Sequence, residues 1–436
     1  MKVAEVHVKQ IIFALPAVLS MIFGLPACTR SNSAAPSTVA SAPCSIALAS
    51  QAGRESTSDI ARLQQEARST ANPRQVLETL GWTLVDRSRL TNDPGYYKLA
   101  EQTALCLEAK YPGSPEGLLL RGHALYSQHR FHEAEQVAQQ LIKVRQAPFD
   151  YGLLGDVLME QGRVRDAVAA YQKMLDLKPN LQSYSRAAHI RWLKGDLSGA
   201  RQLIQMAASA GSPQEAEPTA WAYTRMALYE LQAGSRAKAR TAVDAALVLE
   251  PDYAPALLAR GRLMLADGKT VKAIESLQRA AKINPLPEYH WVLAEALRAA
   301  GRSDEAVPVE KQILERGALD DPRTMALYLA TRKEQVETAV KLANDELANR
   351  ADVFTLDALA WALSASGRVE EAYSTMKKAL AEGTEDARLF YHAGIISLEA
   401  GQMKEGKRWF TKTVSIRQML LPSERDRLAK HIDIPH

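Results

Sequence analysis

Residues 151–179 read YGLLGDVLMEQGRVRDAVAAYQKMLDLKP. A small residue, Gly155, stands early in the stretch. Gly162 follows seven residues later, Ala167 five after that, and Pro179 twelve after the alanine. Residues 253–285, YAPALLARGRLMLADGKTVKAIESLQRAAKINP, keep the same order with Gly261, Gly268, Ala273 and Pro285. Each part has a physical reason. Two antiparallel helices can cross closely only where both carry small side chains, which accounts for the first glycine and its alanine. The middle glycine adopts the left-handed conformation that stops a helix. The proline cannot continue the second helix and closes the unit.

Working outward, the small first-helix residue recurs as Gly81, Gly122, Gly155, Ala188, Ala227, Gly261, Ala294, Leu327, Ala360 and Gly394. Most steps between them are 33 or 34 residues. Twelve residues beyond each, from Gly122 onward, stand Ala134, Ala167, Ala200, Ala239, Ala273, Ala306, Ala339, Ala372 and Gly406. Mid-unit turn glycines are Gly162, Gly195, Gly234, Gly268, Gly301, Gly367 and Gly401, and closing prolines are Pro179, Pro251 and Pro285. Leu327 replaces a small residue and Glu334 stands where its turn glycine should be, so that unit is expected to be distorted. The first unit carries an insertion near residues 92–95, and a longer loop is expected near 209–217.

A 33–34-residue period with these residues resembles the tetratricopeptide repeat family. The resemblance covers roughly residues 72–415. It implies an all-α fold, a right-handed superhelical solenoid of about ten helical hairpins. Polar ends are required to stop such an array from stacking further. A helix at 58–69 is expected to cap the front and one at 423–431 the back.

The family's concave groove is lined by the first helix of each unit, at offsets −6, −3, +1 and +4 from the small residue. At about 100° per residue these offsets share one stripe. Five of the six tryptophans fall on it: Trp82, Trp192, Trp221, Trp291 and Trp361. Tyr126, Phe149, Phe354 and Tyr391 join them, with Arg262 and Arg298 among the charged residues. Large residues here also fill space between neighbouring helices. Aromatic and arginine side chains are, however, the types enriched where proteins meet. The partner-groove set is therefore Trp82, Tyr126, Trp192, Trp221, Arg262, Trp291, Arg298, Trp361 and Tyr391. Family members that grip a carboxylate tail use Lys and Asn at offsets −3 and +1. Neither residue occurs at those offsets here, which argues against that clamp.

Two lysines precede an apolar run, IIFALPAVLSMIFGL, at residues 11–25. About fifteen apolar residues suit a secretory leader and fall short of the roughly twenty needed for a membrane span. Leu25-Pro26-Ala27-Cys28 resembles the lipobox of bacterial lipoproteins, with Pro26 a departure. The implied organisation is a leader over 1–27, a tether over 28–56 lipidated at Cys28, the repeat array over 57–422, and a capping helix and tail over 423–436. Residues 29–51 are rich in Ser, Ala, Pro and Thr, the composition of a flexible segment.

The net charge of +4 is too weak to imply nucleic-acid binding and no long basic run appears, so no nucleic-acid partner is expected. Cys28, Cys44 and Cys106 form no Cys-x-x-Cys pair. A Cys44–Cys106 bridge is open outside the cytoplasm, although Cys106 in an apolar helix also suits the core. His123, His129 and His132 lie on different faces and lack a carboxylate at ligand spacing, so no metal or other cofactor is expected. No nucleophile elbow, phosphate loop or His-Glu-x-x-His occurs, and repeats fill nearly all of the exported chain, so no enzyme is expected.

The function implied is a protein-binding scaffold or adaptor, lipid-anchored at a bacterial envelope, with the outer membrane facing the periplasm as the location. Two alternatives remain at this stage: a glycan- or peptidoglycan-binding accessory lipoprotein, and a cytoplasmic structural scaffold with a false leader.

Overall fold

The computed structural model describes residues 42–49, 58–91 and 93–432. Cys28 and the apolar run before it lie outside them. Among the described residues no helix is long and apolar enough to cross a membrane.

Ten consecutive helical hairpins build the body. They pair α3 (Arg74–Thr91) with α4 (Gly95–Lys110), α5 (Pro115–Ser127) with α6 (Phe131–Val144), and α7 (Pro148–Glu160) with α8 (Val164–Leu177). Next come α9 (Leu181–Leu193) with α10 (Leu197–Ala210), α11 (Ala216–Gln232) with α12 (Arg236–Leu249), and α13 (Ala254–Ala266) with α14 (Thr270–Ile283). The last four are α15 (Pro287–Ala299) with α16 (Ser303–Asp320), α17 (Pro322–Arg332) with α18 (Val336–Leu347), α19 (Val353–Ala365) with α20 (Val369–Ala379), and α21 (Ala387–Glu399) with α22 (Met403–Ser415). Helix α1 (Ala42–Ala47) and α2 (Ser58–Ser69) precede them, and α23 (Pro422–Ala429) follows. The fold is an all-α tetratricopeptide-type solenoid.

The sequence signals act as read. All seven turn glycines have positive φ, between 72° and 79°. The crossing residues leave no room: a Cβ on Gly394 would lie 2.5 Å from the Phe410 ring. Several first helices start on side-chain caps. Asn180 accepts from the Ser183 amide at 2.9 Å, Asp352 from Thr355 at 2.7 Å, and Asp386 from Leu389 at 3.0 Å, satisfying amides that have no helical partner. Around Leu327 the distortion is local. Helix α17 ends at Arg332, and Lys333 and Gln335 take left-handed conformations in place of a glycine.

Two findings revise the ends. Within the stretch expected to be a tether, Ala42–Ala47 is a helix docked on α4 and held by a Cys44–Cys106 disulfide. Ala47 is wholly buried, and Gln64 Nε2 donates to its carbonyl at 2.9 Å. Composition correctly marked a segment poor in apolar residues, but one covalent bond and one small helix suffice to order it. At the other end, α23 does more than cover the last hairpin. It folds back onto α15, three units earlier, with Leu421 and Leu428 buried.

The array also touches itself at long range. The α18–α19 connection meets the turn after α5 and α7: Asn349 donates to the His129 carbonyl, and Arg350 pairs with Glu160. The α20–α21 connection meets the turn after α9, where Thr384 Oγ1 donates to the Leu193 carbonyl at 2.6 Å and Lys194 pairs with Glu382. Gln418 Nε2 donates to the Leu231 and Gln232 carbonyls at 3.1 and 2.9 Å. Arg425 donates to the Leu265 carbonyl at 3.2 Å. Each later loop thus rests on a turn many units earlier, so the solenoid is coiled tightly enough for its own chain to line both sides of its inner face.

Candidate functional site

The first helices present their stripe inward, and the coil divides that face into stretches with different surroundings. Near the front, Trp82 and His123 pack with ring centroids 5.4 Å apart, and Arg89 reaches His123 Nε2 at 3.1 Å. Burial, with Arg89 and Arg186 adding, pushes His123 down to about 3. Further along, Asp156 accepts from Tyr171 at 2.8 Å and from Arg186 at 2.8 and 2.5 Å, and Tyr126 donates to Glu160 at 3.3 Å. Charges here are matched, and the groups are held rather than poised.

The middle stretch differs. Trp192 on α9 is buried and donates from Nε1 to Gln232 at 2.8 Å. It stacks on Phe354 of α19, across the coil, at 5.9 Å and on His189 at 5.7 Å. Beside it a cavity of about 210 Å³ is lined by His189, Arg323, Arg350, Asp352 and Phe354 among others. Burial, with Arg225 adding, pushes His189 down to about 4, so its ring is neutral near pH 7. On α11, Arg225 lies 5.8 Å from the Trp192 ring centre, 6.0 Å from Trp221 and 5.2 Å from Tyr229. Trp221 is 37% exposed and forms the outer wall.

At the back the stripe is covered. Trp291, Trp361 and Tyr391 are 3%, 7% and 3% exposed. Trp361 stacks on His392 at 4.0 Å and donates to Thr331 Oγ1 at 3.0 Å, while His392 Nδ1 sits 2.9 Å from Asp357. Trp291 carries the Arg388 guanidinium at 4.7 Å, and that guanidinium holds Glu424 of α23 at 2.7 Å. Arg262 pairs with Glu288 at 2.7 Å and Arg298 with Glu310 at 2.6 Å. Trp409, on the second helix of its pair, packs on Phe390 at 5.4 Å.

The structure therefore separates the sequence-selected residues. Trp192 and Trp221 come together with Arg225, Trp82 and Tyr126 lie forward of them, and Trp291, Trp361 and Tyr391 are enclosed. Arg225 escaped the stripe because its offset of −2 falls about 40° outside it at about 100° per residue. A signal was present: Trp221, Arg225 and Tyr229 are spaced by four, which places them one above another on a helix.

Family models described as tetratricopeptide repeat match residues 153–216, 224–287 and 272–321, and another of the same description matches 355–388. These residues carry tetratricopeptide repeats. Curated proteins give no match to the chain. Solved structures similar to this repeat protein include a human IFIT1 dimer with PPP-AAAA, at 16% identity and a TM-score of 0.48, covering 74% of this chain and 77% of that one. Pseudomonas aeruginosa pilF is similar over 50% of this chain and 97% of its own, at 14% identity and a TM-score of 0.39. MamA is similar over 38% and 94%, at 18% identity and a TM-score of 0.31. All three TM-scores lie below 0.5. The repeat scaffold itself implies a protein-interaction function.

Proposed function

We propose that this protein is an interaction scaffold of a bacterial envelope that holds a segment of a partner protein on the inner face of α9 and α11. The observation that carries this reading is the middle stretch: a solvent-reaching tryptophan and a half-buried arginine stand beside a cavity, on the face that repeat arrays use for ligands. Aromatic and arginine anchors next to a desolvated pocket are the usual source of binding energy between proteins.

Two observations support location outside the cytoplasm. The leader ends in a lipobox-like Leu25-Pro26-Ala27-Cys28. The Cys44–Cys106 disulfide suits an oxidising compartment, since reducing ones keep thiols free. The lipid at Cys28 would fix the array to a membrane, facing the periplasm in an organism with two membranes.

The test is crosslinking and pull-down from membranes with wild type beside Trp221→Ala. Specific envelope proteins recovered with wild type and depleted at least several-fold with the variant support the reading. Equal recovery from both moves the contact elsewhere. In parallel, labelled palmitate should enter wild type and not Cys28→Ser. Equal labelling of both refutes the anchor.

A further inference from the structure

We infer that Arg225 is the anchor for a side-chain carboxylate of the partner segment, an acidic residue flanked by leucine on a short helix. This deepens the scaffold reading and rests on it.

The molecule contains a filled version of the same arrangement. At the back of the inner face, Arg388 lies over the Trp291 ring at 4.7 Å, and its Nε donates to Glu424 at 2.7 Å. Glu424 arrives on α23. The segment around it reads LLPSERDRLAK, residues 420–430, with Leu420, Leu421 and Leu428 all buried. The second Glu424 oxygen accepts from the Leu421 amide at 2.8 Å and so caps the start of the helix. Ser423 donates its amide and hydroxyl to Glu295 at 3.1 and 2.9 Å. A guanidinium on a tryptophan face, a carboxylate, and apolar side chains on either side together define one recognition unit.

Arg225 presents the first half of that unit without the second. Its guanidinium is enclosed by Trp192, Trp221 and Tyr229, and Tyr229 Oη is its one hydrogen-bond partner among the described residues, at 3.4 Å. Its Nε is buried with no partner. The comparable inward arginines have carboxylates: Arg186 has Asp156, Arg262 has Glu288, Arg350 has Glu160 and Arg388 has Glu424. A cation in an aromatic surround is poorly hydrated, and a buried donor left unmade is costly. An incoming carboxylate removes that cost through a charge-assisted bond, and the planar fork of arginine suits a carboxylate better than a neutral amide. His189, neutral near pH 7, adds no second charge, so the site takes a single carboxylate rather than a multiply charged group. Trp221, 37% exposed, offers apolar surface for a flanking leucine.

The experiment uses the full chain and a fluorescein-labelled, end-blocked peptide of the sequence LLPSERDRLAK. Binding is read by anisotropy. The expected result is saturable binding that weakens at least tenfold when the peptide carries Glu424→Gln, and by a similar factor when the protein carries Arg225→Gln. The variant's melting profile should match wild type. Binding unchanged in Arg225→Gln means the peptide has exchanged with α23 at Arg388, and overturns the assignment. Absence of binding to wild type, or equal binding of the Gln peptide, overturns it too. The membrane pull-down with Trp221→Ala reads the scaffold proposal separately, so partner recovery there with a failed peptide test removes the carboxylate anchor and leaves the scaffold.

Discussion

Two arginines of this protein lie against tryptophan rings on the same inner face. Arg388, over Trp291, holds a carboxylate on a helix whose leucines are buried. Arg225, among Trp192, Trp221 and Tyr229, holds none. The surrounding side-chain chemistry is nearly the same, yet one site is interior and the other reaches solvent. The difference lies in what the rest of the chain brings to each. It teaches that position on the stripe does not decide whether an aromatic residue serves packing or binding. The returning segment decides it.

The largest expected effect lies at the filled site. Arg388→Met leaves Glu424, 2% exposed, without its cation, and should cost about 3–5 kcal/mol in urea unfolding, the usual loss on breaking one side of a buried pair. Arg225→Met, with no pair to break, should change stability by about 0.5 kcal/mol or less. Similar losses at the two sites would erase the distinction between them.

Next in size is a comparison of turns. Gly195 and Gly367 have nearly the same conformation, φ of 77° and 79°. A Cβ on Gly195 would lie 2.6 Å from the Gly383 carbonyl oxygen, whereas Gly367 faces open space. Gly367→Ala should cost about 1 kcal/mol, the left-handed strain alone. Gly195→Ala should cost about 3 kcal/mol, since a clash is added to that strain. Equal melting temperatures for the two variants would show that contact between coils does not hold the open stretch in place.

The last comparison is in pH, where the effect is spread over a window rather than concentrated in one variant. His189 is held neutral down to about pH 4 by burial, while an unfolded histidine protonates near 6.5. Between these values the unfolded chain binds more protons, so stability rises with pH across the window and is lost as pH falls through it. The slope from this residue is at most about 1.4 kcal/mol per pH unit. His189→Asn should flatten the measured stability profile between pH 6.5 and 4. A profile of unchanged slope would mean that His189 titrates normally and that the open stretch is wetter than its lining indicates.

The hairpins were legible because each rests on contacts within one repeat period: a small residue at a crossing, a glycine at a turn, a proline at an exit. The paired ends of the chain were less so. Cys44 sits in a stretch whose composition is that of a tether, and nothing local tells that α4 waits to receive it. The return of α23 to α15 and the meeting of Trp192 with Phe354 depend on rotation accumulated over several repeats, which no single repeat displays. The sequence therefore placed these side chains on one stripe of the first helices but could not tell its covered part from its open part. Trp291, Trp361 and Tyr391 look the same as Trp221 until the fold-back is seen.

The contacts between distant turns carry a mechanical consequence. A spring whose coils stand apart stretches by small increments in every turn, and an open repeat array does the same. Here Thr384 on Leu193, Gln418 on Leu231 and Asn349 on His129 join one coil to the next. Such a spring stays rigid under load until those joins part, and then lengthens abruptly. Pulled between its ends, the protein should resist as one body and keep the spacing of its inner face constant up to that release.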